Sequence, residues 1–282
     1  MPQYKSARNS YKQLQEIAHE LRIDVLEMLE NAGSGHPASS LVTAEIFTTL
    51  YWNILNVNHK NPQDPDRDIF ILSNGHICPI LYATLARKGF FPRSELASLR
   101  RIDSLLQGHP DRKTPGVETA SGSLGQGLSI AVGQALASKM DNKSNQTCVM
   151  TSDGELNEGQ TWEAAMLAPK YNLDNLIWII DRNNIQISGH TNEVLPLENL
   201  RDKLESFNWY VVEVGGHNLM EIQSAFQMAK NISGRPTVII AHTVPGKGVD
   251  FMERKPEWHG KAPNKEQTKD AISQIRKLLK NS

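Results

Sequence analysis

Cysteine is scarce in this 282-residue chain: only Cys78 and Cys148 occur, far apart and in no CxxC or other metal-ligand spacing. That excludes a disulfide framework and a cysteine-based zinc site, and it suits a reducing cytoplasm. Neither sign of charge is in excess, since 30 basic against 31 acidic side chains leave a formal −1 with both signs mixed along the chain. No electrostatic footprint for nucleic acid or an anionic membrane results. Long apolar runs are also missing. None reaches membrane-spanning length, and the opening MPQYKSARNSYKQLQEIAHELR holds no apolar core of the signal-peptide kind, so a cytoplasmic location is expected. No GxGxxG follows the early strand, which speaks against a nicotinamide enzyme. Fixed-period repeats and low-complexity tracts are absent as well. An apolar share of 39% with 22% charged residues still describes a folded chain, whose function must reside in local sites.

What is present is an alternation of helical and strand patterns. From Tyr11 to Asn31 the apolar residues Leu14, Ile17, Ala18, Leu21, Val25, Leu26 and Leu29 recur at three and four, one face of an amphipathic helix that should stop at Ala32-Gly33. Ser34-Gly35-His36-Pro37 then reads as a tight loop, and a second helix is predicted over Ser40 to Tyr51. Asp68–Leu72, Gln146–Thr151 and Asn175–Ile180 are short apolar runs without alternation, as strands covered on both faces require. Each ends in a polar turn: Ser73-Asn74-Gly75-His76, Ser152-Asp153-Gly154 and Asp181-Arg182-Asn183-Asn184. Helical patterns resume from about Ile77 and Asn157. Two further strands, Trp209–Val214 and Pro236–His242, flank a helix over Leu219–Lys230. The expected fold class is α/β, a doubly wound and mostly parallel sheet with helices on both faces, forming one domain over residues 1–282. Val244 to Asn264 lacks periodicity and is a long loop of the kind that carries function; a last helix spans Lys265 to Leu279.

In such sheets ligands bind beyond the carboxyl ends of the strands, where the three polar turns lie. Taken singly, Asp153 and Asn183 are ordinary turn residues. Together, at the ends of two strands, they offer a carboxylate and an amide oxygen. The Ile185 carbonyl would complete three hard donors for an octahedral Mg²⁺, with a diphosphate and a water supplying the rest. Gly154 would let main chain approach a phosphate.

These motifs resemble the transketolase family of thiamine-diphosphate enzymes. SDGELNEG at Ser152 to Gly159 followed by DRNN at Asp181 to Asn184 is similar to its GDG and Asn-containing metal motif, with Ser152 in place of the first glycine. Ser34-Gly35-His36-Pro37, Ser73-Asn74-Gly75-His76, Gly108-His109-Pro110 and Gly122-Ser123-Leu124-Gly125-Gln126-Gly127 resemble SGHP, SNGH, GHP and GPLGQG in the same order. His259 in Trp258-His259-Gly260 resembles the family's late active-site histidine.

The resemblance implies thiamine diphosphate with Mg²⁺, or Ca²⁺ or Mn²⁺, held by Asp153, Asn183 and the Ile185 carbonyl. It implies that His36, His76, His109 and His259 line the substrate channel, with His76 and His259 also touching cofactor. Gly122, Ser123 and Leu124 would meet the aminopyrimidine, with Ser123 replacing the usual proline. Gly154 and Glu158 complete the cofactor set; Glu158 reads equally as a solvated first-turn glutamate.

A full-length transketolase continues into a pyrimidine-binding domain that carries the glutamate needed to activate the cofactor. The resemblance therefore implies a partner of about 300 residues supplying it in trans, in an α2β2 heterotetramer acting on sugar phosphates in the pentose phosphate pathway. Three other readings stay open: a subunit of a 1-deoxyxylulose-5-phosphate synthase-like or specialised transketolase-like enzyme, a 2-oxo acid dehydrogenase alpha chain, and a non-catalytic binding protein on a degenerate enzyme fold. The histidine loops speak against the second, and the full histidine and metal-ligand set against the third.

Overall fold

The computed structural model describes residues 9–280. The reading of residues 1–8 as free of an apolar leader lies outside them. Five parallel strands form the central sheet: β1 (Ile69–Leu72), β2 (Thr147–Ser152), β3 (Leu176–Arg182), β6 (Tyr210–Gly215) and β7 (Thr237–His242), in the order β1-β2-β3-β7-β6. A two-stranded hairpin, β4 (Ile185–Gln186) and β5 (Gly189–His190), projects beyond β3. The helices are α1 (Tyr11–Ala32), α2 (Pro37–Val42), α3 (Ala44–Thr49), α4 (Cys78–Arg87), α5 (Gln126–Met140), α6 (Gly159–Lys170), α7 (Thr191–Val194), α8 (Leu200–Ser206), α9 (Leu219–Asn231) and α10 (Lys265–Lys280).

Alternation along the strands divides the core in two. Phe70, Leu72, Cys148, Met150, Ile177, Ile179, Ile239 and Ala241 face the layer containing α1, α3, α4 and α9. Ile69, Ile71, Val149, Trp178, Ile180, Val238 and Ile240 face α5, α6 and α8. Both layers are apolar, so β1, β2 and β3 are buried along their whole length, which is why they read as continuous runs, while the edge strand β6 exposes Glu213. Trp178 and Trp209 pack with ring centroids 5.3 Å apart. Their indole N–H groups donate to Thr151 Oγ1 (2.9 Å) and the Ala165 carbonyl (2.7 Å), leaving no buried donor unpaired on either ring.

The first helix begins and ends as its sequence requires. Ser10 and Gln13 form a reciprocal capping box, and Gly33, at φ 64°, donates its N–H to the Leu29 and Glu30 carbonyls. The single helix expected over Ser40 to Tyr51 is instead three pieces. Pro37 starts α2 three residues earlier, Thr43 (φ −93°, ψ 6°) separates α2 from α3, and Leu50–Ile54 widens into a π turn. The loop prediction over Val244 to Asn264 holds, with one short 3-10 turn at Pro256–Trp258. The hairpin and α8 fall in segments to which the pattern assigned nothing.

From β3 the chain passes over β7 to β6 and then returns. Strand order thus reverses between β3 and β7, and the carboxyl edge there opens into the crevice where such folds bind ligands.

Candidate functional site

Several loops meet at that edge. The turn after β1 is locked to the glycine loop through Glu155, which is fully buried in the turn after β2. Ser73 Oγ donates to Glu155 Oε1, and Gly125 N–H donates to the same oxygen at 2.7 Å. Gly127 N–H in turn donates to Ser73 Oγ at 2.9 Å. Burial pushes the Glu155 carboxyl up to about 7 despite these donors, so the cluster is short of positive charge. Neither Ser73 nor Glu155 stood out in the sequence. Both lie inside the motifs, but nothing in their spacing marks them as the contact between loops.

His36, His76 and His259 converge although the first and last lie 223 positions apart. Ring centroids are 4.9 Å apart for His36–His76, 5.5 Å for His36–His259 and 5.6 Å for His76–His259. His36 occupies the N-cap position of α2, and the same helix holds His259 through Ser39 Oγ, 3.3 Å from His259 Nδ1. His109 is exposed and lies against Gly122, whose added Cβ would meet its ring at 3.8 Å.

Burial lowers the imidazoles of His36, His76 and His259. His36 falls to about 4, helped by the neighbouring His259 and Arg100, and His76 lies well below its ordinary value. His109 and His259 shift the same way. Neutral rings are the form that can both donate to and accept from a substrate hydroxyl. Arg100, also unmarked by sequence, donates to Ser34 Oγ (3.1 Å) from a left-handed backbone (φ 64°) and leaves a buried Nε without a partner beside this cluster.

A histidine held neutral in the fold but free to protonate when unfolded destabilises the fold as pH falls from 6.5 toward the folded value. Metal-free wild type should therefore lose stability relative to His36→Asn between pH 6.5 and 4, by about 2 kcal/mol after discounting for partial exposure. Denaturant titrations at four pH values check this. A pH-independent difference would contradict it.

Asp153, Asn183 and Ile185 are also brought together. Asp153 Oδ2 accepts from Arg182 Nη1 (3.0 Å) and Asn184 N–H (2.7 Å), while Oδ1 accepts only from Gly154 N–H (2.8 Å). Asn183 Nδ2 donates to Asp181 Oδ2 at 2.7 Å, which turns Oδ1 the other way, where it accepts from Ile185 N–H at 3.0 Å. Each of Asp153 Oδ1 and Asn183 Oδ1 thus keeps a lone pair for a cation. Burial lifts Asp153 to about 6 and, with the Asp153 charge beside it, Asp181 to about 7. A divalent cation would relieve both.

Among the described residues no three His, Cys, Asp or Glu side chains are grouped to hold a metal. A cation here would need the Asn183 amide, a main-chain carbonyl and ligand oxygens beside Asp153. Buried polar atoms without a protein partner gather at the same edge: His36 Nδ1, His76 Nε2, both Asn74 amide atoms and Ser121 Oγ. A polar cofactor fits that donor set. At Gly154 an added Cβ would lie 3.1 Å from Gln186 Cβ, so the missing side chain makes room for Gln186. Gly122, Ser123 and Glu158 are exposed, and Leu124 is half-buried.

The parallel sheet with its ligand loops at the carboxyl edge defines a class of α/β proteins that anchor a cofactor there. The chain belongs to the transketolase family, residues 13–279 matching the model described as transketolase, thiamine diphosphate binding domain. It is 43% identical to a 6-deoxy-6-sulfo-D-fructose transketolase subunit of a Clostridium species, over 94% of this chain and 96% of the relative. It is 41% identical to one of the subunits of the apulose-4-phosphate transketolase of Phocaeicola vulgatus, covering 89% of each. Human transketolase is 39% identical over 96% of this chain but only 43% of its own length. The solved transketolase of Campylobacter jejuni superposes with a TM-score of 0.90 at 35% identity, over 95% of this chain and 43% of that one.

Proposed function

We propose that this chain is the cofactor-anchoring subunit of a two-chain transketolase, transferring a two-carbon ketol unit between phosphorylated or similarly anionic sugars. The observation that carries the reading is the convergence of His36, His76 and His259 at the sheet edge that also bears Asp153 and Asn183. Asp153, Asn183 and the Ile185 carbonyl would hold Mg²⁺, or Ca²⁺ or Mn²⁺, against the diphosphate. Gly122, Ser123, Leu124, Gly154, Glu158, His76 and His259 would contact the rest of the cofactor. Thiamine diphosphate supplies the carbon nucleophile and electron sink that ketol transfer requires. His36, His76, His109 and His259 would hold the sugar hydroxyls and take up or return their protons.

The second chain is argued from length. Relatives matched nearly end to end are named as subunits, whereas full-length transketolases are matched over 43% of their length. A pyrimidine-binding partner chain would account for both, and the assembly we propose with it is α2β2. The free, buried cysteines are consistent with a cytoplasmic setting, and no described helix is long and apolar enough to cross a membrane. A specialised sugar substrate outside the pentose phosphate pathway is favoured by the names of the two relatives matched as subunits, which specify 6-deoxy-6-sulfo-D-fructose and apulose 4-phosphate. Assaying the reconstituted complex with xylulose 5-phosphate, a sulfonated ketose and pyruvate as competing donors tests the reading. Ketose cleavage is expected; use of pyruvate alone would assign the synthase-like activity instead.

A further inference from the structure

The segment after β7 carries His259 to the site, and its exit from the sheet is held by a buried polar chain that no motif indicated. Arg22, on α1, donates to Glu45 Oε2 of α3 at 2.6 Å and to the Leu41 carbonyl at 3.0 Å. His217, just past β6, brings Nδ1 to 3.1 Å from the same Glu45 oxygen. The other ring nitrogen, Nε2, accepts from the main-chain N–H of Val244 at 2.9 Å. An amide N–H can only donate, so Nε2 must be bare and the proton must sit on Nδ1, directed at Glu45. Burial alone would lift the Glu45 carboxyl, but the Arg22 charge and the hydrogen bonds from His217 and Arg22 hold it at about 2, so the acceptor stays ionised.

The approach is close because residue 216 is glycine: an added Cβ would lie 2.3 Å from Thr243 Cγ2 and 3.1 Å from the His242 carbonyl oxygen. Two residues beyond Val244, Gly246 N–H donates to the Ala38 carbonyl at 3.0 Å. Ala38 lies on α2, the helix that follows His36 and holds His259 through Ser39. Apolar contacts of Val249, Met252 and Trp258 seat the body of the loop, while the polar contacts of Val244 and Gly246 set its direction of departure.

We infer that His217 is a positioning residue for the reaction: the Arg22–Glu45–His217 chain clamps Val244 so that the following loop delivers His259 onto His36 and His76. The inference rests on the reading of His259 as a substrate-facing residue. His217 itself touches neither the other histidines nor the metal-ligand candidates.

Three measurements test it on the full chain and on its complex. Nitrogen-15 spectra should show His217 as the neutral tautomer protonated at Nδ1. Amide exchange at Val244 and Gly246 should accelerate roughly 10- to 100-fold in His217→Ala, with the amides of β2 unchanged, and should return toward wild type in His217→Gln, whose carboxamide can accept from Val244 and donate to Glu45. Ketol transfer by the complex should fall in His217→Ala and recover in His217→Gln. Unchanged exchange at Val244, or an equal rise across the whole sheet, would overturn the clamp. Accelerated exchange confined to this loop with undiminished transfer would uphold the clamp and overturn the role given to His259.

Discussion

Asp153→Asn should abolish metal-dependent thiamine diphosphate binding and ketol transfer while leaving the metal-free chain as stable as wild type or more so. The two effects come from one property of the site. Asp153 is fully buried, and burial raises its carboxyl to about 6 even with Arg182, Asn184 and Gly154 donating to it. A carboxyl whose folded value lies above its unfolded one costs stability progressively as pH rises between the two. At pH 7 that cost is roughly 3 kcal/mol, which the neutral amide does not incur. In the metal-free state Asp153→Asn should thus match wild type near pH 4 and melt several degrees higher at pH 7. Cofactor binding moves the other way. The ionised carboxylate is the one formal charge the candidate metal donors provide, and its loss should weaken metal-assisted binding by more than about 100-fold, above the range for residues that only orient ligands. Thermal melts across pH combined with calorimetric titration check both halves. A variant that lost stability at pH 7 and kept its cofactor would show that Asp153 serves Arg182, not a metal.

Gly127→Ala should be among the more damaging single methyl additions in the chain. The added carbon would stand 2.3 Å from Ser73 Cβ and Oγ and 2.8 Å from Ser73 Cα. Because main chain lies on one side of the contact and a buried serine on the other, neither can yield without moving a loop. Separating them also breaks the Gly127–Ser73–Glu155–Gly125 hydrogen bonds that join three loops. A cost of about 3 kcal/mol or more is expected, together with loss of cofactor binding. The matched control lies on the same helix. Gly133 has nothing within 4 Å of an added Cβ, so Gly133→Ala in the isolated chain should gain about 0.5 to 1 kcal/mol through helix propensity. Urea midpoints of the pair measure the contrast; equal effects would refute the steric argument.

The strands were legible because burial on both faces writes an apolar run, and α1 because its apolar residues recur at three and four up to Gly33, a specific C-capping signal. The break of the second helix was not, since only tertiary packing decides whether Thr43 continues a helix or bends it. At the site three of the four expected histidines lie in ring contact, His109 lies apart from them against Gly122, and Asn183 is joined to Ile185. What escaped was the set that aligns them. Asp181 turns the Asn183 amide, Glu155 ties Ser73 to the glycine loop, Ser39 holds His259, and Arg182 neutralises Asp153. Such residues are chosen by contacts between distant segments, and a residue pattern read along one chain carries no distance across the fold.

Ketol transfer by the purified chain, measured with thiamine diphosphate and Mg²⁺ before and after adding a pyrimidine-binding partner chain, tests the central claim most directly. No turnover alone and turnover on addition of the partner, abolished again by Asp153→Asn, is the predicted result. Turnover by this chain alone, or turnover of the complex that survives Asp153→Asn, would contradict it.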